Sequence, residues 1–316
     1  MVVRVRQHPQ KIQLFFLEIN MNFVILDLEW NGAYSKKAKK FVNEIIEFGA
    51  VKIDEQFNII DTFSMLVTPQ IGKKLNSRVS ELTHITTQEL FDSHNTFTHV
   101  LSKFKKFLSD SVLMTWGTSD ILTLMENCKY YLSEEKLTFM TTYCNLQTYC
   151  EHRLNHTDKS RQMGLSACAE QLSISTEGLE LHRACDDAKL SFKCLKKLYD
   201  KNALREFIEI ADDEFYRKIT FKNTVLFDLK NPLIDKKEFY ICCDKCSRKA
   251  RRKSKWICKN RSFRAQFRCA KCKRDFEGRI TFRLKYEGVT VDRRVVEKAK
   301  PDNDAKPKNL LSKLIK

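Results

Sequence analysis

No stretch of about 18 or more uncharged apolar residues occurs in this chain, so nothing in it reads as a membrane-spanning helix. The apolar segment at residues 14–17 is far too short and is followed at once by Glu18 and Asn20. It lacks the small-residue cleavage site that would make it the core of a secretion signal, so a cytoplasmic location is expected. The chain also lacks internal repeats, and low-complexity sequence is missing until the last residues. Net charge is absent from its first 200 residues, where 24 Lys and Arg balance 24 Asp and Glu.

The 316 residues leave room for two domains, the first large enough for a proper core. The whole formal charge of +17 comes from residues 201–316, with 33 basic side chains against 16 acidic ones. A block this basic implies a polyanionic partner, or else a solvated surface kept for solubility. Cysteine is divided in the same way. Cys128, Cys144, Cys150, Cys168, Cys185 and Cys194 are dispersed in helix-like apolar patterns, as small buried residues of a reducing compartment would be. The other six of the twelve crowd between Cys242 and Cys272. Met21 stands directly before the first plausible strand, and residues 1–20 fit no element of the fold. They read as an N-terminal extension, a poorly packed tail or a segment ahead of the true start.

Residues 22–28 (NFVILDL) have the β-branched, bounded pattern of a fully buried strand. Two more strands follow around a turn at residues 54–57, and then two short helices, SRVSELTHIT and TQELFDS, each opened by a Ser or Thr suited to capping. Phe97, Val100, Leu101, Phe104, Phe107 and Leu108 form the stripe of a core-facing helix. SVLMTW is a short strand, ILTLMENCKYYL a helix, TFMTTY a strand, and GLSACAEQL and DDAKLSFKCLKKLYDK further helices. Strands first, then alternating helix and strand, argue for one α/β domain with a mixed sheet over residues 21–200. Residues 201–238 read as a connector, 239–297 as a cysteine-containing module and 298–316 as a disordered basic tail.

Four acids and a histidine carry chemistry. Asp27 and Glu29, two apart on a strand, point to one face and repel each other unless a cation lies between them. Asp-x-Glu alone means little, since it recurs at Asp212–Glu214 in an ordinary polar helix. Asp120 by itself reads equally well as a helix N-cap, and Asp187 as a carboxylate complementing a helix dipole. If the four converge, their hard oxygens suit Mg²⁺ or Mn²⁺ rather than zinc, and His182 could deprotonate a water for attack on a phosphodiester.

Order and neighbours join these sites. Asp-x-Glu, Asp and His-x4-Asp occur with IIEFGAV at residues 45–51 and LT-x-IT at residues 82–86. Trp116-Gly117 precedes Asp120, and His-Arg-Ala-x-x-Asp-Ala fills residues 182–188. The pattern resembles the DEDDh family of 3′→5′ exonucleases, nearest its Eri-type and KapD-like members, over residues 22 to about 200. One departure is His84, where the family commonly has glycine. The resemblance implies an RNase H-like fold, a mixed five-stranded sheet flanked by helices. It also implies two metal ions held by Asp27, Glu29 and Asp187, with Asp120 joining directly or through water, and His182 as general base. Nucleoside 5′-monophosphates would leave from the 3′ end of single-stranded nucleic acid, RNA rather than DNA. Trp30 and Asn31 could touch the terminal nucleotide. A DNA proofreading or repair exonuclease and a catalytically silent nucleic-acid-binding adaptor are the rival readings.

Cys243-x-x-Cys246 and Cys269-x-x-Cys272, 22 residues apart, are two knuckles able to hold one structural Zn²⁺ in a small β-rich zinc-ribbon domain. Cys242 and Cys258 are spare thiols. Basic residues around the knuckles interleave with Trp256, Phe263, Phe267, Phe276, Phe282 and Tyr286. Cations for phosphates and rings for bases suit single strands, with Trp256, Arg264 and Phe267 as candidate contacts, although some rings must build the ribbon's own core.

Overall fold

The computed structural model describes residues 21–156 and 162–297, which form two compact units dividing between Thr220 and Phe221. Residues 1–20 and the basic tail 298–316 lie outside the described residues. Among the described residues no helix is long and apolar enough to cross a membrane.

The first unit is built on β1 (Phe23–Ser35), β2 (Lys40–Ile53), β3 (Ile59–Leu66), β4 (Val112–Thr115), β5 (Thr142–Asn145) and β6 (Ile208–Ile210). Their order in the sheet is β3-β2-β1-β4-β5-β6. The first three strands form an antiparallel meander, β1–β4 and β4–β5 are parallel, and β5–β6 is antiparallel. The sheet is therefore mixed, as expected, but has six strands rather than five. The sixth was hidden because IEI is too short to show a period of two between two charged helical turns.

Both faces of β1 are covered, which is why FVIL at its start is apolar without alternation. Val24, Leu26 and Leu28 pack on one side with α3 (Phe97–Leu108) and α4 (Ser119–Leu132). Phe23 and Ile25 pack on the other with α5 (Leu146–Arg153), α6 (Leu165–Gln171) and α7 (Ala184–Leu198). The short α1 (Ser77–Thr83) is capped by Asn76 rather than by its serine, whereas α2 (Thr87–Asp92) has a full capping box between Thr86 and Glu89. α1 ends at His84 with φ 55°, the left-handed conformation that accounts for glycine being common at this position.

The stretch 201–238, read as a connector, is divided between the units. α8 (Lys201–Glu206), β6 and α9 (Asp213–Ile219) belong to the first unit, where Phe215 and Tyr216 enter the core and the Tyr216 hydroxyl bonds both N–H and C=O of Leu137. The rest joins the second unit. There β7 (Thr224–Leu226), β8 (Arg251–Arg252), β9 (Ile257–Lys259), β10 (Ser262–Arg268), β11 (Asp275–Lys285) and β12 (Gly288–Val296) make one antiparallel sheet. The separate core of this unit is formed by Phe263, Phe267, Phe276, Ile280 and Phe282.

Candidate active site

The sheet opens where β4 stops. Parallel pairing of β1 with β4 runs from Phe23 to Ile25 and ends, while β1 continues against β2 to Ser35. Asp27 and Glu29 thus lie in the middle of a long strand, which runs on well beyond the segment 22–28 read as a strand from the sequence. They continue the face of Phe23 and Ile25, toward α7, just past the last residue that β4 covers. A bulge between Glu29 and Trp30 breaks the register immediately after them.

α7 delivers the third acid. It lies flat on β2 because Gly49 has no side chain; a Cβ there would come within 2.0 Å of the backbone at Ala184 and Cys185. Asp187, in its first turn, meets the strand acids so that carboxylate oxygens of Asp27, Glu29 and Asp187 all lie within 4.8 Å of one another. Asp120 is not part of that trio. It is buried in the first turn of α4, whose cap is Thr118, and its Oδ1 accepts the Leu28 N–H at 3.0 Å. His182 is exposed, in the left-handed conformation (φ 66°), and its backbone N–H donates to Asp187 Oδ2 at 3.2 Å.

Burial and mutual repulsion raise the affinity of these acids for a proton in the absence of a cation. Burial first, and then the carboxylates of Asp120, Asp187, Glu29 and Glu47, push Asp27 well above the carboxylate range. Burial followed by Asp187 pushes Glu29 up to about 8. Burial raises Asp120 to about 7 against the pull of the Leu28 N–H. Asp187 is also raised by burial, with His182 opposing. Four acids in this condition, with hard oxygen donors converging, fit Mg²⁺ or Mn²⁺.

The importance of Glu47 and Arg183 was not evident from the residues alone. Glu47 is 1% exposed and stands opposite Glu29 on β2. It takes Nη2 of Arg183 at 2.8 Å, Nε at 3.2 and 3.3 Å, and the Ala184 N–H at 3.1 Å. The pair ties the residue after His182 to β2, the strand hydrogen-bonded to that of Asp27 and Glu29. The signal was present, in the glutamate of IIEFGAV and the arginine of His-Arg-Ala, but its pairing spans 136 residues. Trp30 packs partly buried against the core. Asn31 is buried and spent on structure, donating to Lys74 O and accepting from the Asn76 N–H, which leaves it unable to reach a nucleotide.

The family model described as Exonuclease (RNase T) matches residues 24–195. The chain belongs to this exonuclease family. Within it, the chain is 30% identical over 181 residues to the probable 3′–5′ exonuclease KapD of Bacillus subtilis (strain 168), covering 55% of this chain and 83% of KapD. It is 32% identical over 191 residues to a PolC-type DNA polymerase III of Clostridium perfringens, covering 60% of this chain but only 12% of the polymerase. Among solved structures, the nuclease domain of 3′hExo, a DEDDh family member bound to rAMP, aligns with a TM-score of 0.51 at 23% identity, over 62% of this chain and 98% of that domain. That likeness shows the fold, and the exonuclease match ends before the second unit begins.

The second unit brings Cys243, Cys246, Cys269 and Cys272 together, their sulfurs all within 4.8 Å of one another. The two knuckles share a geometry. The residue after each second cysteine, Ser247 or Lys273, is left-handed (φ 57° and 51°), and the first cysteine's N–H donates to the carbonyl five residues on, Arg248 or Arg274. Cys272 N–H donates to Cys269 Sγ at 3.4 Å, the main influence holding the Cys269 thiol down at about 7. Cys242 and Cys258 are exposed and outside the quartet. The aromatic reading needs correction. Phe267 is 2% exposed, stacked on Phe276 in the core, and has no free face for a base. Trp256 leans on Phe239 and Phe267, and the Arg264 side chain is only 16% exposed, 3.7 Å from Glu277. A sheet this small can make a core only from its own rings.

Proposed function

We propose that this protein is a divalent-metal-dependent 3′→5′ exonuclease that releases nucleoside 5′-monophosphates from single-stranded nucleic acid, RNA in preference to DNA. The observation carrying this is the convergence of Asp27, Glu29 and Asp187 on one point beside the buried Asp120. Two divalent ions, when bound, would supply charge stabilisation for an in-line displacement at phosphorus. Asp27, Glu29 and Asp187 would hold them, with Asp120 acting directly or through a water. His182, on an exposed turn pinned through its own N–H to Asp187, would accept the proton of the nucleophilic water. The Glu47–Arg183 pair keeps that turn in place without touching substrate.

One structural zinc in the cysteine quartet belongs to the same reading. Four sulfurs at about 2.3 Å from a tetrahedral zinc lie roughly 3.8 Å apart. The Cys243–Cys272 and Cys246–Cys269 separations are 4.0 and 3.5 Å. The free buried thiols of the first unit support a reducing, cytoplasmic setting.

Similarity to PolC-type DNA polymerases favours DNA as the second reading. Matched 5′-labelled RNA and DNA strands, each with a free or a phosphorylated 3′ end, separate these possibilities in Mg²⁺ or Mn²⁺. The proposal expects a ladder shortening from the free 3′ end, RNA faster. Faster DNA cleavage would move the substrate to the second reading. Cleavage indifferent to the 3′ block would reject the polarity, and binding without cleavage would return the chain to an adaptor.

A further inference from the structure

The sheet of the second unit has two unlike faces. One is the phenylalanine core. On the other, most cross-strand neighbours are polar, Ile257, Val225 and Val296 excepted: Arg264 faces Arg279, Arg279 faces Arg294, and Arg268 faces Arg251 and Asp275. Ser262 faces Lys259, and Arg283 faces Thr290. Asp275, Glu277 and Asp292 offset part of this charge by pairing with Arg268, Arg264, Arg279 and Arg294. Arg251, Lys259 and Arg283 are exposed, and no described acid pairs with them. With Lys285 at the end of β11, eight cations thus stand against three acids on one side of a sheet roughly 14 Å wide across four strands.

Two further features point to a ligand. Arg264 is held mostly buried at the centre of this face, and its Nε has no acceptor among the described residues. Oε1 of Gln266, next along the same face, has no donor. Buried polar groups left unpaired are costly. No strand position on this face carries an aromatic ring. Stacking on bases is therefore unavailable, and what remains is attraction to the backbone.

We infer that this face binds the phosphate backbone of a single nucleic-acid strand, reading its charge and not its bases. The choice of nucleic acid over other polyanions rests on the nuclease reading of the first unit. The test uses the full-length, zinc-loaded protein in Mg²⁺-free buffer, so that failure of binding and failure of hydrolysis are read separately. Fluorescently labelled oligo(U) and oligo(A) RNAs of about 20 nucleotides are titrated across a range of salt. Replacing Arg251, Lys259 and Arg283 together by serine should lower the log–log salt slope by about 2, near 0.7 per lost phosphate contact, and weaken binding at least about tenfold at roughly 0.1 M salt. Oligo(U) and oligo(A) should bind within about threefold of each other, since charge alone is read. The same charge removed at the knuckles, from Lys245, Lys271 and Lys273, should leave the slope within about half a unit. An unchanged slope in the first variant, an equal loss in the second, or strong preference for one base would overturn the inference. So would binding to anionic phospholipid vesicles in place of RNA.

Discussion

Glu29 and Glu47 face each other across β1 and β2 and have opposite fates. Glu47 is paired with Arg183, whereas Glu29 is surrounded by other acids, and burial followed by Asp187 pushes its carboxyl up to about 8. The raised acids make the metal-free protein's stability depend on pH in a definite sense. Their folded pKa values lie above those of the unfolded chain, so the folded state holds protons that unfolding releases. Stability from this cluster is intact below about pH 4 and is lost as pH rises through the folded values near 7 to 8. Melting in Mg²⁺-free buffer should therefore occur at lower temperature at pH 8 than at pH 5, with added Mg²⁺ reversing the loss. Asp27→Asn should raise the metal-free melting temperature at pH 8, and a lower value would show that repulsion is not what the cluster stores. His182→Ala should cut hydrolysis by about 10²–10⁴-fold, as loss of a general base does, with the fold unchanged. A loss under tenfold would remove His182 from that role.

At the scale of elements, legibility followed local periodicity. The stripe from Phe97 to Leu108 is α3, with Phe107 alone of its six apolar positions only partly buried. α5 was missed because LQTYCEHR buries Gln147 with Leu146, Tyr149 and Cys150, so no apolar stripe shows. The four acids and His182 could be singled out as candidates because their order and neighbours are local motifs, and three of the acids converge. The position of Asp27 and Glu29 past the end of β4, the burial of Asn31 and Phe267, and the Glu47–Arg183 tie were not legible, because each depends on contacts distant in sequence. Two substitutions separate packing that stabilises from packing that positions. Phe104→Ala, deep among Phe48, Phe63 and Phe107, should cost about 3–5 kcal/mol while leaving hydrolysis near normal below its melting temperature. Gly49→Ala should cost about 1–3 kcal/mol from overpacking and, by displacing α7 and Asp187, reduce activity out of proportion to stability. Chemical denaturation with parallel rate measurements checks both, and a fully active Gly49→Ala would show that α7 tolerates the shift.

For the whole molecule, charge and cysteine change character late in the sequence, and the units divide between Thr220 and Phe221. The second unit has a small core and two cysteine knuckles, so its folding should depend on zinc. Cys243→Ser with Cys272→Ser should abolish stoichiometric zinc and the unit's own melting transition, leaving that of the first unit in place. A second transition surviving without zinc would make the quartet incidental. The central claim is that Asp27, Glu29 and Asp187 form the hydrolytic centre. It is tested most directly by comparing Asp27→Ala and Asp187→Ala with the native protein on one 5′-labelled strand in Mg²⁺, after circular dichroism has shown all three folded. The account predicts a 3′-shortening ladder for the native chain and none for either variant; near-normal cleavage by either variant would contradict it.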